Sequence, residues 1–207
     1  MADLSIVVEE LDVMRGDRQV AAGITFRLQP GDALILRGDN GSGKTSVLRA
    51  IAGFSAPAHG QIRFLFDGEE ADAADIRAHQ IHWFGVDDAL ADRLTVAETV
   101  SFWSRFYGHA ASDVLDRVGL ADRATSPAGA LSTGQRRRLA LTRLLLAPRS
   151  LWLMDEPLTG LDEAGKSLVH RIIAHHRADG GIVLMASHDD GLPGAPVLRL
   201  LPAAVRA

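Results

Sequence analysis

Gly38-Asp39-Asn40-Gly41-Ser42-Gly43-Lys44-Thr45 matches the pattern G-x-x-x-x-G-K-[ST] at every fixed position. The run before it, Asp32-Ala33-Leu34-Ile35-Leu36-Arg37, is short and apolar enough for a buried strand. After it, Val47, Leu48, Ile51 and Ala52 recur at helical spacing. A strand, a glycine turn and a helix N-terminus make an anion-binding concavity, because unpaired backbone N–H groups converge there. Glycine lets such a loop curl around phosphate oxygens with no Cβ in the way. Gly38, Asp39, Asn40, Gly41, Ser42, Gly43 and the following Ser46 are therefore candidate nucleotide contacts. Lys44 is placed to reach the β- and γ-phosphates, and the Thr45 hydroxyl to ligate Mg²⁺. Composition sharpens this reading, since the chain has only two lysines, Lys44 and Lys166, against twenty arginines. A compact ammonium suits a tight phosphate site where a wide guanidinium fork does not.

Leu151-Trp152-Leu153-Met154-Asp155-Glu156-Pro157 reads as an apolar strand ending in two carboxylates. Open α/β sheets bind ligands at the carboxyl ends of their strands, which is where these acids fall. Asp155 suits Mg²⁺, directly or through a water, and Glu156 suits a general base or a residue orienting the attacking water. An acidic turn after a buried strand is the plainer alternative. Leu131-Ser132-Thr133-Gly134-Gln135 leads into a helix predicted over Arg136–Leu146. Ser132 and Gln135 fit a capping box, so the segment could be only a helix start. The small Gly134 would also leave that N-terminus open to an anion. Arg136-Arg137-Arg138 reads as a solvated face with its stems packed on apolar neighbours.

The 207 residues suffice for one domain with a real core, and 47% hydrophobic with 23% charged content is ordinary for a soluble protein. A net charge of −4 lacks the basic footprint of a nucleic-acid partner, so none is expected. The absence of cysteine excludes disulfides and thiolate metal sites, and fits a reducing compartment. The N-terminal residues show no basic n-region, and no apolar stretch approaches about 18 residues. The expectation is a soluble chain with no direct membrane span, reaching any membrane through a partner.

Strands are predicted at Ile6–Glu9, Ile24–Leu28, Ala33–Leu36, Ile62–Phe66, Ile81–Phe84, Leu151–Met154, Ile182–Ala186 and Val197–Leu201. The first two and Ile62–Phe66 could form a small antiparallel layer. The later apolar strands alternate with helical stretches such as Thr45–Ala52 and Gly165–His176, which predicts a parallel sheet covered by helices. Between Asp88 and Ala147 no strong strand signal appears, and that region reads as a helical lobe. Ala71–Asp75 reads as a polar, alanine-rich connection.

Taken together, these residues resemble the ATP-binding cassette (ABC) ATPases. The P-loop at Gly38–Thr45, a signature motif at Leu131–Gln135 and the strand ending in Asp155-Glu156 come in that family's order. Thr159-Gly160-Leu161-Asp162 resembles its D-loop, and His188 in Ala186-Ser187-His188-Asp189 follows an apolar strand as the switch histidine does. The resemblance implies an α/β fold: a P-loop NTPase core of mostly parallel sheet with flanking helices, a small antiparallel β layer and an inserted helical lobe near 88–147. Residues 1–207 would form one nucleotide-binding domain. It implies ATP and Mg²⁺, hydrolysed with Glu156, His188 and Lys44 as catalytic groups. It further implies a second copy packed head to tail, so that Ser132, Gly134 and Gln135 meet the γ-phosphate from the other subunit. Transmembrane ABC subunits are the implied partners, at the cytoplasmic face of the bacterial inner membrane. The interval from Lys44 to Asp155 leaves no room for long coiled-coil arms, which argues against the chromosome-maintenance branches. One motif set rather than two argues against the translation-factor branch. The short chain, Arg15-Gly16-Asp17-Arg18 and Leu151–Asp162 look like the ATP-binding subunits of bacterial cytochrome c maturation (haem export) complexes. The ATPase of another small ABC exporter, or a nucleotide-gated regulatory subunit with weak hydrolysis, are the alternatives.

The pattern breaks in several places. Family members usually carry a glutamine where this chain has Trp83-Phe84-Gly85-Val86-Asp87-Asp88. Either Asp87 or Asp88 substitutes as a carboxylate ligand, or the contact is lost. Met14 and Arg15 stand where an adenine-stacking aromatic is expected, and Thr133 replaces the usual signature glycine. Phe102, Trp103, Phe106 and Tyr107 share one helix face, expected as the core of the lobe. Docking of a transmembrane partner's cytoplasmic helix is the other reading of that face.

Overall fold

A computed structural model of the chain describes residues 3–188 and 191–201. They fall into two compact units, one reaching to Trp83 and adding Arg149–Glu156 and the residues from Ile173 onward. The other comprises Phe84–Pro148 and Pro157–Ile172.

The first unit contains, in chain order, β1 (Leu4–Arg15), β2 (Arg18–Leu28), β3 (Ala33–Arg37), α1 (Lys44–Ile51), β4 (His59–Phe66), β5 (Glu69–Ala71) and α2 (Ala73–His79). The strands β6 (Ile81–Phe84, its last residue across the boundary), β7 (Leu151–Asp155), β8 (Ile182–Ala186) and β9 (Val197–Arg199) follow. One sheet is antiparallel with strand order β2-β1-β4-β5; the other runs β6-β7-β8-β3-β9. In β1 the residues Leu4, Ile6 and Val8 turn inward by strict alternation, and so do Leu11 and Val13. A bulge at Glu9-Glu10, with Glu10 at φ 47°, inserts the extra residue that keeps the second set facing the core.

β7 and β8 are buried at every residue, and β3 at all but its last. Strands covered on both faces read as unbroken apolar runs, which is why the sequence announced them without alternation. β7 runs parallel to β8, and β8 parallel to β3, with Asp155 opposite Ala186 and Ala186 opposite Leu36. Parallel pairing therefore puts the carboxyl ends of all three strands on one edge. Val47, Leu48 and Ile51 of α1 join Leu34, Leu36, Leu151, Leu153, Ile182 and Leu184 in a single core with Ile6, Val8 and Phe64. On β7, Trp152 stacks flat against His176, with ring centroids 3.7 Å apart and planes 5° from parallel. A Cβ on Gly181 would fall 2.2 Å from that imidazole, so only glycine admits the stack.

The second unit carries α3 (Val96–Tyr107), α4 (Val114–Arg117), α5 (Thr133–Leu146) and most of α6 (Glu163–Ala178), whose residues from Ile173 belong to the first. Thr95 and Glu98 close a full capping box on α3, and Gly108 ends it at φ 73°.

The expected strands are all present, with β1 and β2 longer than read and β9 ending at Arg199. Ala71–Asp75 is not a mere connection: it closes β5 and opens α2, capped by Asp72 accepting from the Asp75 N–H. α2 buries only Ile76, and β5 pairs with β4 with Glu69 and Glu70 exposed and only Ala71 partly buried, so neither leaves a hydrophobic period. The aromatics of α3 are not the lobe's core. Its buried stripe is Val96, Thr99 and Val100, while Phe102 and Phe106 stand 47% and 67% exposed. The rings stack on one another, and Arg143 lies over Trp103 at 5.4 Å. Among the described residues no helix is long and apolar enough to cross a membrane.

Candidate nucleotide site

The loop between β3 and α1 is built for close approach. Gly43 sits at φ 93°, and a Cβ there would lie 2.5 Å from the Val20 carbonyl oxygen. Gly38 is as tightly held, with Ser42 Oγ and the Leu200 oxygen within 2.6 Å of where its Cβ would be. α1 has neither a side-chain cap nor an acidic residue in its first turn. α2, α3 and α5 all carry a side-chain cap, so α1 alone of these four leaves its first amides to an outside acceptor. Lys44, 7% exposed, donates from Nζ to the carbonyls of Gly38 at 2.6 Å and Asp39 at 3.2 Å. Two of its three N–H donors brace the loop, and the third remains for phosphate. Ser42 Oγ is buried and makes no hydrogen bond among the described residues. An orphaned buried hydroxyl costs about 1–3 kcal/mol, a debt that a phosphate oxygen would cancel.

The carboxylates meet this loop. Thr45 Oγ1 lies 2.9 Å from Asp155 Oδ2 and 3.1 Å from Oδ1, and Asp155 is buried. A hydroxyl and one carboxylate are hard oxygen donors, the set Mg²⁺ takes when substrate phosphates and waters complete its shell. These residues fit the ion. Glu156, next along, holds a non-glycine φ of 49°, a costly conformation just past the end of β7. Its N–H donates to the Ala186 carbonyl at 3.0 Å, fixing the strand tip to β8. Its Oε2 lies 2.8 Å from His188 Nδ1. Lys44, Thr45, Asp155, Glu156 and His188, distant in sequence, are thus gathered at one edge of the parallel sheet. Asp189, beside the histidine, lies outside the described residues. Met14, 41% exposed, and Arg15 end β1 opposite Gln19 and Arg18, and the adjoining Val20 is the residue that abuts Gly43.

Within the second unit, Ser132 caps α5. Its Oγ accepts from the Gln135 N–H at 3.3 Å, and Gln135 Oε1 accepts from the Ser132 N–H at 2.9 Å. The capping box is therefore real, yet it uses only the oxygen's lone pairs and leaves the exposed hydroxyl proton to donate. Gly134 faces the Gly160 carbonyl, 3.2 Å from where its Cβ would be, and Asp162 caps α6 by accepting from the Gly165 N–H at 2.7 Å. Arg137 is not on a solvated face: it is 4% exposed. Its Nη1 donates to Gly85 O at 2.6 Å, Val86 O at 3.1 Å and Asp88 Oδ1 at 3.2 Å. Asp88 is thereby engaged by a cation, while Asp87 is exposed. The sequence held a signal for this, since Arg137 precedes the buried Ala140, Leu141 and Leu144 by three, four and seven residues on one helix face.

Residues 21–159 match the model of the ABC transporter family. The chain belongs to that family. As an ABC ATPase it is an ATP-hydrolysing transporter subunit. It is 44% identical, over 97% of its own length and 95% of the relative's, to the cytochrome c biogenesis ATP-binding export protein CcmA of Paramagnetospirillum magneticum. The protein of the same name from Rhodospirillum rubrum is 46% identical over 93% of this chain and 84% of that one. A solved structure of a putative ABC transporter ATP-binding protein from Pyrococcus furiosus shares the fold at a TM-score of 0.81, with 23% identity, covering 95% of this ABC ATPase and 97% of that chain.

Proposed function

We propose that this ABC ATPase drives cytochrome c biogenesis, supplying the energy for haem export or for release of a haem-loaded chaperone beyond the membrane. The whole chain acts as one nucleotide-binding domain with its helical region inserted. It works at the cytoplasmic face of the bacterial inner membrane through transmembrane partner subunits. ATP lies with its phosphates in the loop Gly38–Ser46, held by amides of α1 and by Lys44. Thr45 and Asp155 would hold Mg²⁺ together with the phosphates, and the ion would supply positive charge against the phosphate oxygens. Glu156 accepts the proton of the attacking water, and His188 orients the Glu156 carboxylate and approaches the γ-phosphate. A second copy packs head to tail, and its Ser132 hydroxyl and the backbone N–H groups around Gly134 donate to the γ-phosphate. ATP then holds the pair together and hydrolysis releases it, a two-state device that partner subunits can harness.

The observation that carries this reading is the pairing of Thr45 with Asp155 beside that of Glu156 with His188. The likeness to proteins named for cytochrome c biogenesis supports the physiological assignment. The test is genetic and chemical together: in a host lacking this chain, haem-stained c-type cytochromes should disappear, return with the wild-type chain, and stay absent with Glu156→Gln. Normal c-type cytochromes without the chain would overturn the assignment.

A further inference from the structure

Arg137 joins several backbone segments through one buried guanidinium. Besides its three acceptors on Gly85, Val86 and Asp88, its Nε donates to Pro157 O at 3.4 Å. Its guanidinium carbon lies 4.2 Å from the centre of the Phe84 ring. A guanidinium offers five N–H donors in one rigid plane and stacks on aromatic faces, so it can join several backbone segments at once where lysine cannot. The ion pair with Asp88 is itself mostly buried, the two side chains being 4% and 16% exposed. Burying a cation this deeply is unfavourable unless every donor is used. The segments it joins are the ones hydrolysis depends on. Phe84–Asp88 stands where the family's Mg²⁺-contacting glutamine is expected, and Pro157 is peptide-bonded to Glu156. Arg137 itself sits in the second turn of α5, two residues after Gln135 of the signature.

We propose that Arg137 is a positioning residue for ATP hydrolysis, clamping the loop 84–88 and the backbone just past Glu156 onto the signature helix. The proposal rests on the reading of Glu156 as general base. Asp88 is the counter-charge of the clamp and not a cation ligand, which separates its role from that of Asp87. Displacing a catalytic carboxylate by about an ångström can lower a rate about 10²-fold without weakening substrate binding. The clamp therefore acts on the chemical step rather than on ATP affinity.

The test compares the full-length chain with Arg137→Gln, Arg137→Lys, Asp88→Asn and Glu156→Gln. Three quantities are read: affinity for a fluorescent ATP analogue, single-turnover hydrolysis with protein in excess, and the melting temperature. Arg137→Gln should keep affinity within about threefold and hydrolyse about 30-fold more slowly. Arg137→Lys, which preserves the charge near Asp88 but not the fork, should fall between the two and decides the matter if the glutamine variant does not fold. Asp88→Asn should slow hydrolysis less, and combining it with Arg137→Gln should slow it no further than Arg137→Gln alone. Hydrolysis per folded molecule that stays at the wild-type rate while only the melting temperature drops would overturn the clamp. If Glu156→Gln hydrolyses as fast as wild type, the general-base reading falls and takes the clamp with it. A dead Glu156→Gln beside a fully active Arg137→Gln and Arg137→Lys removes the clamp alone.

Discussion

The chain contains two glycine-bearing helix starts that the sequence presents as anion sites, and they are built in opposite ways. α1 begins at Gly43 with no side-chain cap and no acid in its first turn. α5 begins at Ser132 with a complete capping box, which takes up the Gln135 N–H on Ser132 Oγ and the Ser132 N–H on Gln135 Oε1. The first start keeps backbone donors open and adds the Lys44 ammonium, so it can hold a triphosphate unaided. The second keeps the Ser132 hydroxyl proton and the N–H groups of Thr133 and Gly134 at a partly satisfied end, and suits donors that reach a nucleotide held elsewhere. In the proposed function the first site supplies affinity and the second refines charge in the transition state.

Lys44→Ala should break the first half of that comparison most severely. Losing the one lysine that braces Gly38 and Asp39 and faces phosphate should weaken ATP binding about 100-fold or more, equivalent to about 3 kcal/mol. Equilibrium binding of a fluorescent ATP analogue to the folded variant reads it. Unchanged affinity would mean that the cradle is not where ATP sits. Glu156→Gln should instead separate binding from chemistry. Affinity stays, while single-turnover hydrolysis falls about 10²–10³-fold because the amide accepts no proton. A parallel loss of affinity would show that Glu156 serves the cradle and not the water.

The cradle was legible in the sequence because its chemistry is local: eight consecutive residues, an apolar strand before them and a periodic helix after them. The carboxylate pair was legible for the same reason, since Leu151–Met154 is an unbroken apolar run. The closeness of His188 to Glu156 was not readable from residues alone, because it follows from the pairing of β7 with β8. Arg137 was misread because arginines in a row suggest solvent, and only the helix period reveals that the middle one turns inward. α2 and β5 stayed hidden because a lone buried Ile76 and a three-residue edge strand leave no pattern to read.

Acid should weaken the fold beneath the first site, through the imidazole stacked on β7. Burial against Trp152 of β7 pushes His176, on α6, down to about 4, against weaker opposing effects of backbone hydrogen bonds and Asp179. The unfolded chain therefore binds this proton near pH 6.5 while the folded chain resists it, so folding is favoured fully above that pH. Stability should fall as pH drops from about 6.5 towards 4, by about 3 kcal/mol in total from this group. His176→Phe keeps a flat ring against Trp152 and removes the titration. Urea melts across that range should show a shallower acid loss for the variant, and identical slopes would show that the imidazole is not held neutral.

The smallest effect is the sharpest test of the second half of the comparison, because the molecule carries its own control. Thr95 caps α3 as Ser132 caps α5: the Glu98 N–H reaches Thr95 Oγ1 at 3.1 Å, and the Gln135 N–H reaches Ser132 Oγ at 3.3 Å. In both boxes the third residue returns a side-chain oxygen to the cap's own N–H, at 2.8 Å and 2.9 Å. Alanine at either cap should therefore cost about 1 kcal/mol of stability, read by denaturant melts. A cap that is only a cap stops there, and Thr95→Ala should hydrolyse ATP at the wild-type rate per folded molecule. Ser132→Ala should lose a similar amount of stability and, in addition, about tenfold or more in hydrolysis at protein concentrations that let two chains meet, because a hydroxyl aimed at developing charge is worth more than its share of folding. If the two variants behave alike, the second helix start holds no nucleotide, and the chain has one anion site instead of two.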